Sequence, residues 1–291
     1  MSLLSYGARL QSWQVAHQSD AVNVVLGHDA PAAYLTDPHS MGILAGRVAN
    51  RISGAALGWN WQRYVLDANE LPNTLHGGRV GFGQRHWALE QDGPRGAVMH
   101  LVSEHGDMGF PGRVEVTVQV TLTGGTLSYD IMAMADRPTP VNLAHHAYWN
   151  LMGQGDVLGH RVAVAADNWT PVGPGLIPTG QIEPLTPALT ALKTGKMIGE
   201  ATEEGCDMNY VLDQGHAQVD APNGLRLTVA TDQPCLQFYT GHKLTAPFRP
   251  FGGLCLEPQG YIDAVNAGFP VAIAGPDTPY RQISSFTIGA A

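Results

Sequence analysis

Cysteine is scarce in this chain. The three residues Cys206, Cys235 and Cys255 are an odd number with no C-x-x-C pair, which excludes a disulfide framework and the usual thiolate metal spacing. Their apolar surroundings make each a buried free thiol. Charge is scarce as well: only 14% of residues are Asp, Glu, Lys or Arg, against about 25% in ordinary soluble domains. The 16 basic residues face 25 acidic ones, and the formal charge of -9 excludes the phosphate-tracking surface that nucleic acid requires. No apolar run approaches the ~20 residues that span a bilayer, and the first residues, MSLLSYGARLQSW, have no basic stretch followed by a sustained apolar one. No membrane partner is expected, and cytoplasmic residence is the expectation. Helical patterns are few and short. The best are Pro187–Lys193 and residues 30–34, too brief to build βαβ units.

Glycine (35) and proline (20) are plentiful, as many short strands joined by turns require. The clearest strand covers residues 114–122, where Val114, Val116, Val118, Val120 and Leu122 alternate with Glu115, Thr117, Gln119 and Thr121, a period of two that buries one face. Gly124-Gly125 follows, a pair able to take positive φ twice, and residues 126–133 resume a strand with Leu127, Tyr129 and Ile131; together they read as a hairpin. Shorter strand patterns lie at 97–102, 161–165, 225–230, 236–239 and 253–257, separated by turn clusters such as Asp167-Asn168 and Asp232-Gln233-Pro234. The expected fold is all-β, a large antiparallel β-sandwich in a single domain over residues 1–291, with no linker or repeat.

Short polar signatures punctuate this frame: GRVANRI (46–52), NTLHGG (73–78), NLAHHAYWNL (142–151), GCDMNYVL (205–212), LQFYTG (236–241) and LEPQGY (256–261). Polar and titratable groups set between apolar or aromatic ones suit a sugar site that moves protons. His76 precedes two glycines that let the chain turn sharply, which favours an accessible imidazole; a loop histidine capping backbone groups is the plain alternative. His145 and His146 are adjacent in a strand-like segment, so they face opposite sides and only one can enter a given pocket. That geometry, with no H-x-H or H-E-x-x-H spacing, predicts no metal. Glu257 ends an apolar strand before Pro258, where partial desolvation would raise its basicity. Arg51 offers a guanidinium fork to hydroxyls or, as readily, to a structural ion pair. Asn50 precedes it, while Asp207 and Gln237 each fit ligand binding or a purely local role.

As an ordered series, these signatures resemble the aldose 1-epimerase (galactose mutarotase) family over nearly the whole chain. Asn50-Arg51, His76, His146, Asp207, Gln237 and Glu257 match the family motifs, as do Asp263 to Asn266 and Phe269-Pro270. The resemblance implies a β-sandwich of the galactose mutarotase type with an open cleft, no cofactor, and interconversion of the α and β anomers of a free aldose. By that similarity Glu257 is the base at the C1 hydroxyl and His146 the acid at the ring oxygen. His76 assists, while Asn50, Arg51, Asp207 and Gln237 bind hydroxyls. His145 stands where the family commonly has Asn. Competing expectations are a hexose-phosphate mutarotase, which needs more cations around the cleft, a sugar-binding protein without turnover, and a glycosidase using Asp207 and Glu257. A monomer or homodimer is expected.

Overall fold

The computed structural model describes residues 1–291. In chain order its principal strands are β1 (Val25–Leu26), β2 (Ala88–Gln91), β3 (Gly96–Ser103), β4 (Val114–Thr123), β5 (Thr126–Ala135), β6 (Tyr148–Trp149), β7 (Arg161–Thr170), β8 (Asp207–Asp220), β9 (Leu225–Thr231), β10 (Cys235–Tyr239), β11 (Leu254–Gln259) and β12 (Tyr280–Ala290). They build one large curled sheet in the order β2-β3-β4-β5-β12-β9-β8-β10-β11-β6-β1, with β7 joined to β8 off that path. All these pairings are antiparallel.

The alternation in the sequence decides which face turns inward. Val114, Val116, Val118 and Val120 of β4 are buried, and β5 answers across the hairpin with Leu127, Tyr129, Ile131 and Ala133. Each such valine withdrawn from water stabilises the fold by ~1.5–3 kcal/mol. Gly124 and Gly125 close the turn at φ 57° and 83°, the doubly left-handed geometry that matches strand twist and that side chains resist. These strands share a core of 47 buried residues with Phe238, Leu254, Leu256 and Phe286.

Several local expectations are corrected. Asp167-Asn168 is no turn: β7 continues to Thr170, and its pairing to β8 shifts register between Val164 and Ala166 and again between Ala166 and Asn168, so turn-forming residues make bulges there. The segment 141–151 is not one strand. It divides into Ala144–His145, paired with Leu44–Ala45, and β6, paired with β1 and β11. Glu257 does not end its strand, because β11 runs through Pro258 to Gln259. Proline is tolerated because β6 covers only Leu254 and Cys255 on that side, leaving no neighbour there that needs its missing N–H.

The helix α1 (Pro187–Lys193) forms where expected, with Pro187 in its first turn and the Thr186 hydroxyl accepting from the Leu189 N–H at 3.3 Å. The pattern at 30–34 instead becomes a short 3-10 turn, Pro31–Thr36. No helix is long and apolar enough to cross a membrane, and all three cysteines are free and buried.

Candidate active site

The sheet register assembles one wall of a cleft. Across β8, β10 and β11, Asn209, Gln237 and Glu257 lie directly opposite one another, and Asp207, Tyr239 and Cys255 form the next row. Tyr148 of β6 extends that second row opposite Cys255. Because side chains alternate along each strand and directly opposed residues point the same way, the odd-numbered residues of β8, β10 and β11 share one face with Tyr148 of β6. The even-numbered positions Tyr210, Leu236, Phe238, Leu254 and Leu256 face the core. A single alternation thus supplies both the sheet's packing and a polar floor.

The facing wall comes from loops. Arg51–Ile52 pairs with Thr74–Leu75, which brings GRVANRI against NTLHGG. Asn50 and His76 both hold left-handed backbones, at φ 61° and 50°, a strain of about 1–3 kcal/mol each that persists only where the surroundings enforce it. Gly77 lets the two loops touch: a Cβ there would lie 2.0 Å from the Gly46 carbonyl oxygen. Arg51 makes a two-pronged ion pair with Glu70, Nε to Oε2 at 2.7 Å and Nη2 to Oε1 at 2.8 Å, so the structural ion pair and the cleft-lining position belong to the same residue. His76 is half-buried rather than freely accessible. Its burial, together with neighbouring His146 and Arg51, holds its pKa well below 6.5.

All seven residues singled out in the sequence, Asn50, Arg51, His76, His146, Asp207, Gln237 and Glu257, line one cleft of about 170 Å³. At its floor His146 Nε2 stands 3.8 Å from Glu257 Oε1. They are only 7% and 2% exposed. The gap is too long for a hydrogen bond between them and wide enough to be bridged by a reacting group. Desolvation drives both toward neutrality: the Glu257 carboxyl is raised well above 4.5, further helped by Asp207, and the His146 imidazole is pushed down to about 4. The His76 ring meets that of His146 edge-on, centroids 5.3 Å apart. Gln237 Nε2 donates to Asp207 Oδ1 at 2.6 Å, while Gln237 Oε1 is buried without a partner. His145 faces the other way. Its Nε2 lies 3.2 Å from the Tyr129 hydroxyl, and the ring sits against Phe286 in the core.

A family model described as aldose 1-epimerase matches residues 1–286. The chain belongs to the aldose 1-epimerase family. The galactose mutarotase of Mus musculus is 36% identical over 313 residues, covering 100% of this chain and 91% of that protein. The aldose 1-epimerase of Escherichia coli K12 is 31% identical, covering 91% and 84% respectively. Among solved structures, an aldose epimerase homologue from C. elegans superposes with a TM-score of 0.94 at 27% identity, covering 99% of this chain and 95% of that one. The epimerase is therefore an isomerase, and mutarotation is its chemistry.

Several lining residues of the epimerase escaped the sequence reading: His39, Ser40, Tyr148, Tyr239 and Lys243, and Glu70 behind Arg51. Two were within reach. Tyr239 is two residues from Gln237 on β10, and a period of two puts both on one face; Tyr148 is likewise two from His146. The others come from loops whose approach no local pattern encodes. A second cavity of about 240 Å³, walled by Val48, Ile52, Pro140 and Val265 among others, contains none of the seven site residues.

Proposed function

We propose that this epimerase interconverts the α and β anomers of a free hexose with Glu257 and His146 as its proton-transferring pair. In the charged tautomer of the pair, the Glu257 carboxylate takes the proton of the C1 hydroxyl while the His146 imidazolium gives its Nε2 proton to the ring oxygen and is left neutral. The bond from C1 to the ring oxygen breaks and C1 becomes an aldehyde. After rotation about C1–C2 the ring recloses: His146 takes the proton of the attacking hydroxyl, and Glu257 returns its proton to the C1 oxygen. No proton is gained or lost over the cycle.

The observation that carries this reading is the 3.8 Å separation of His146 Nε2 from Glu257 Oε1 at the cleft floor. Groups so spaced can each reach one of two oxygens carried by a single carbon that lies across both. Desolvation also raises the charged pair that starts the step and favours the neutral pair that follows it, since it opposes charge on both partners. His76 would donate from Nε2 beside the same centre, and Asn50, Arg51, Asp207 and Gln237 would hold hydroxyls, fixing orientation.

Galactose is the first sugar to test, because relatives bear it in their names. A phosphorylated hexose fits less well: of the two lining Lys or Arg residues, Arg51 is committed to Glu70 and only Lys243 remains. Polarimetry on freshly dissolved α-D-galactose, α-D-glucose and galactose 6-phosphate decides between them. Acceleration of the free sugars above buffer supports the reading, whereas acceleration of the phosphate alone contradicts it.

A further inference from the structure

We propose that His146, Cys255 and Glu257 together form a binding site for a thiophilic divalent cation of the zinc type, and that the bound ion closes the cleft to sugar. No metal spacing in the sequence announces such a site; the sheet creates it. Cys255 and Glu257 are two residues apart on β11 and share its cleft-facing side, and His146 arrives from the connection just before β6. One donor atom from each of the three lies within 4.8 Å of the other two.

The geometry of one edge is already that of a bound ion. His146 Nδ1 and Cys255 Sγ are 3.6 Å apart. Bonds of about 2.3 Å to sulfur and about 2.0 Å to nitrogen at a tetrahedral angle place the two donors about 3.5 Å apart. A Glu257 oxygen within 4.8 Å of the other donors is the third ligand, and a fourth position remains for water. All three donors are buried, with Cys255 0% exposed, so their packing leaves little side-chain freedom to lose on binding. Thiolate with imidazole suits Zn²⁺ or its substitute Co²⁺, while Mg²⁺ and Ca²⁺ prefer all-oxygen sets. Binding releases the thiol proton, since the thiolate is the ligand.

His146 and Glu257 line the cleft floor, so the ion enters by the route of the sugar. The binding claim stands on the three donors alone; the inhibition rests on the roles proposed above for His146 and Glu257.

The test titrates the intact enzyme with zinc chloride by calorimetry and with Co²⁺ by absorbance, then repeats both on Cys255→Ser and on Cys255→Ala, each checked for native folding by circular dichroism. Expected are one ion per chain, a sulfur-to-cobalt charge-transfer band, and loss of the band with at least a tenfold weaker affinity in both variants. Zn²⁺ should also slow mutarotation competitively with sugar, reversibly with a chelator, where Mg²⁺ has no effect. Absence of the band, or equal Zn²⁺ affinity in folded Cys255→Ser and Cys255→Ala, overturns the site. A Cys255-dependent band with undiminished turnover keeps the site and overturns both the inhibition and the catalytic assignment behind it.

Discussion

Asn50 and His76 are bonded in both directions: the main-chain N–H of Asn50 donates to Nδ1 of His76 at 3.2 Å, and the main-chain N–H of His76 donates to the carbonyl of Asn50 at 3.0 Å. A ring nitrogen that accepts keeps its lone pair, so the neutral imidazole carries its proton on Nε2. The depressed pKa keeps it neutral. His76 is thereby a donor of fixed direction. Replacing it by Phe, which fills similar space without donating, should lower kcat/KM by about 10²-fold, the usual loss for one donor aimed at a reacting oxygen. Unchanged kcat/KM in His76→Phe would assign the residue a structural role only.

Glu70 lies outside the set of lining residues, yet it grips the Arg51 fork with both oxygens. Glu70→Ala should free the guanidinium to wander and raise KM about tenfold, with kcat reduced much less, as expected when an orienting contact is loosened. Arg51→Lys should behave similarly, since an ammonium cannot make the two-pronged pair. Steady-state kinetics on both variants checks this, and an unaltered KM in Glu70→Ala contradicts it.

The pH–rate profile follows from the pair at the floor. The competent form of His146 and Glu257 holds one proton between them. A second proton arrives only as pH falls toward about 4, the value to which burial lowers His146. The last leaves as pH rises through the Glu257 value, which burial holds well above 4.5. The acid limb of kcat/KM should therefore lie near pH 4. An acid limb centred near 6.5 would mean that His146 titrates like an exposed histidine, against this account.

His145 makes a separate prediction about stability. Burial lowers its pKa from 6.5 to about 3. Above pH 6.5 the residue is neutral in both native and unfolded chains and has no effect on the balance. Between pH 6.5 and about 3 only the unfolded chain takes the proton, so native stability falls as pH drops, by about 1.4 kcal/mol per pH unit from this residue. Urea melts of His145→Asn across that range should show a slope shallower by about that amount. Equal slopes would show that His145 does not resist protonation in the native core.

Period-two alternation made the framework legible: the hairpin of β4 and β5, and the polar face on which Gln237 and Glu257 sit. It also separates His145, which turns to the core, from His146, which lines the cleft. What stayed hidden depends on distance in the chain. Glu70 meets Arg51 through a loop pairing, and Cys255 reads as an inert core thiol until the register places His146 beside it. The bulges in β7 look like a turn in the sequence because Asp167 and Asn168 favour both. Pro258 signalled a strand end, but β6 pairs only as far as Cys255, so no strand partner there needs its missing N–H.

The most direct test is the rate at which fresh α-D-galactose loses its initial optical rotation with wild type, Glu257→Gln and His146→Asn at matched concentrations. Each replacement should remove most of the acceleration over buffer, about 10²–10⁴-fold as for a lost proton-transfer group, while circular dichroism reports a native fold. Wild-type acceleration in a folded Glu257→Gln enzyme would contradict the account.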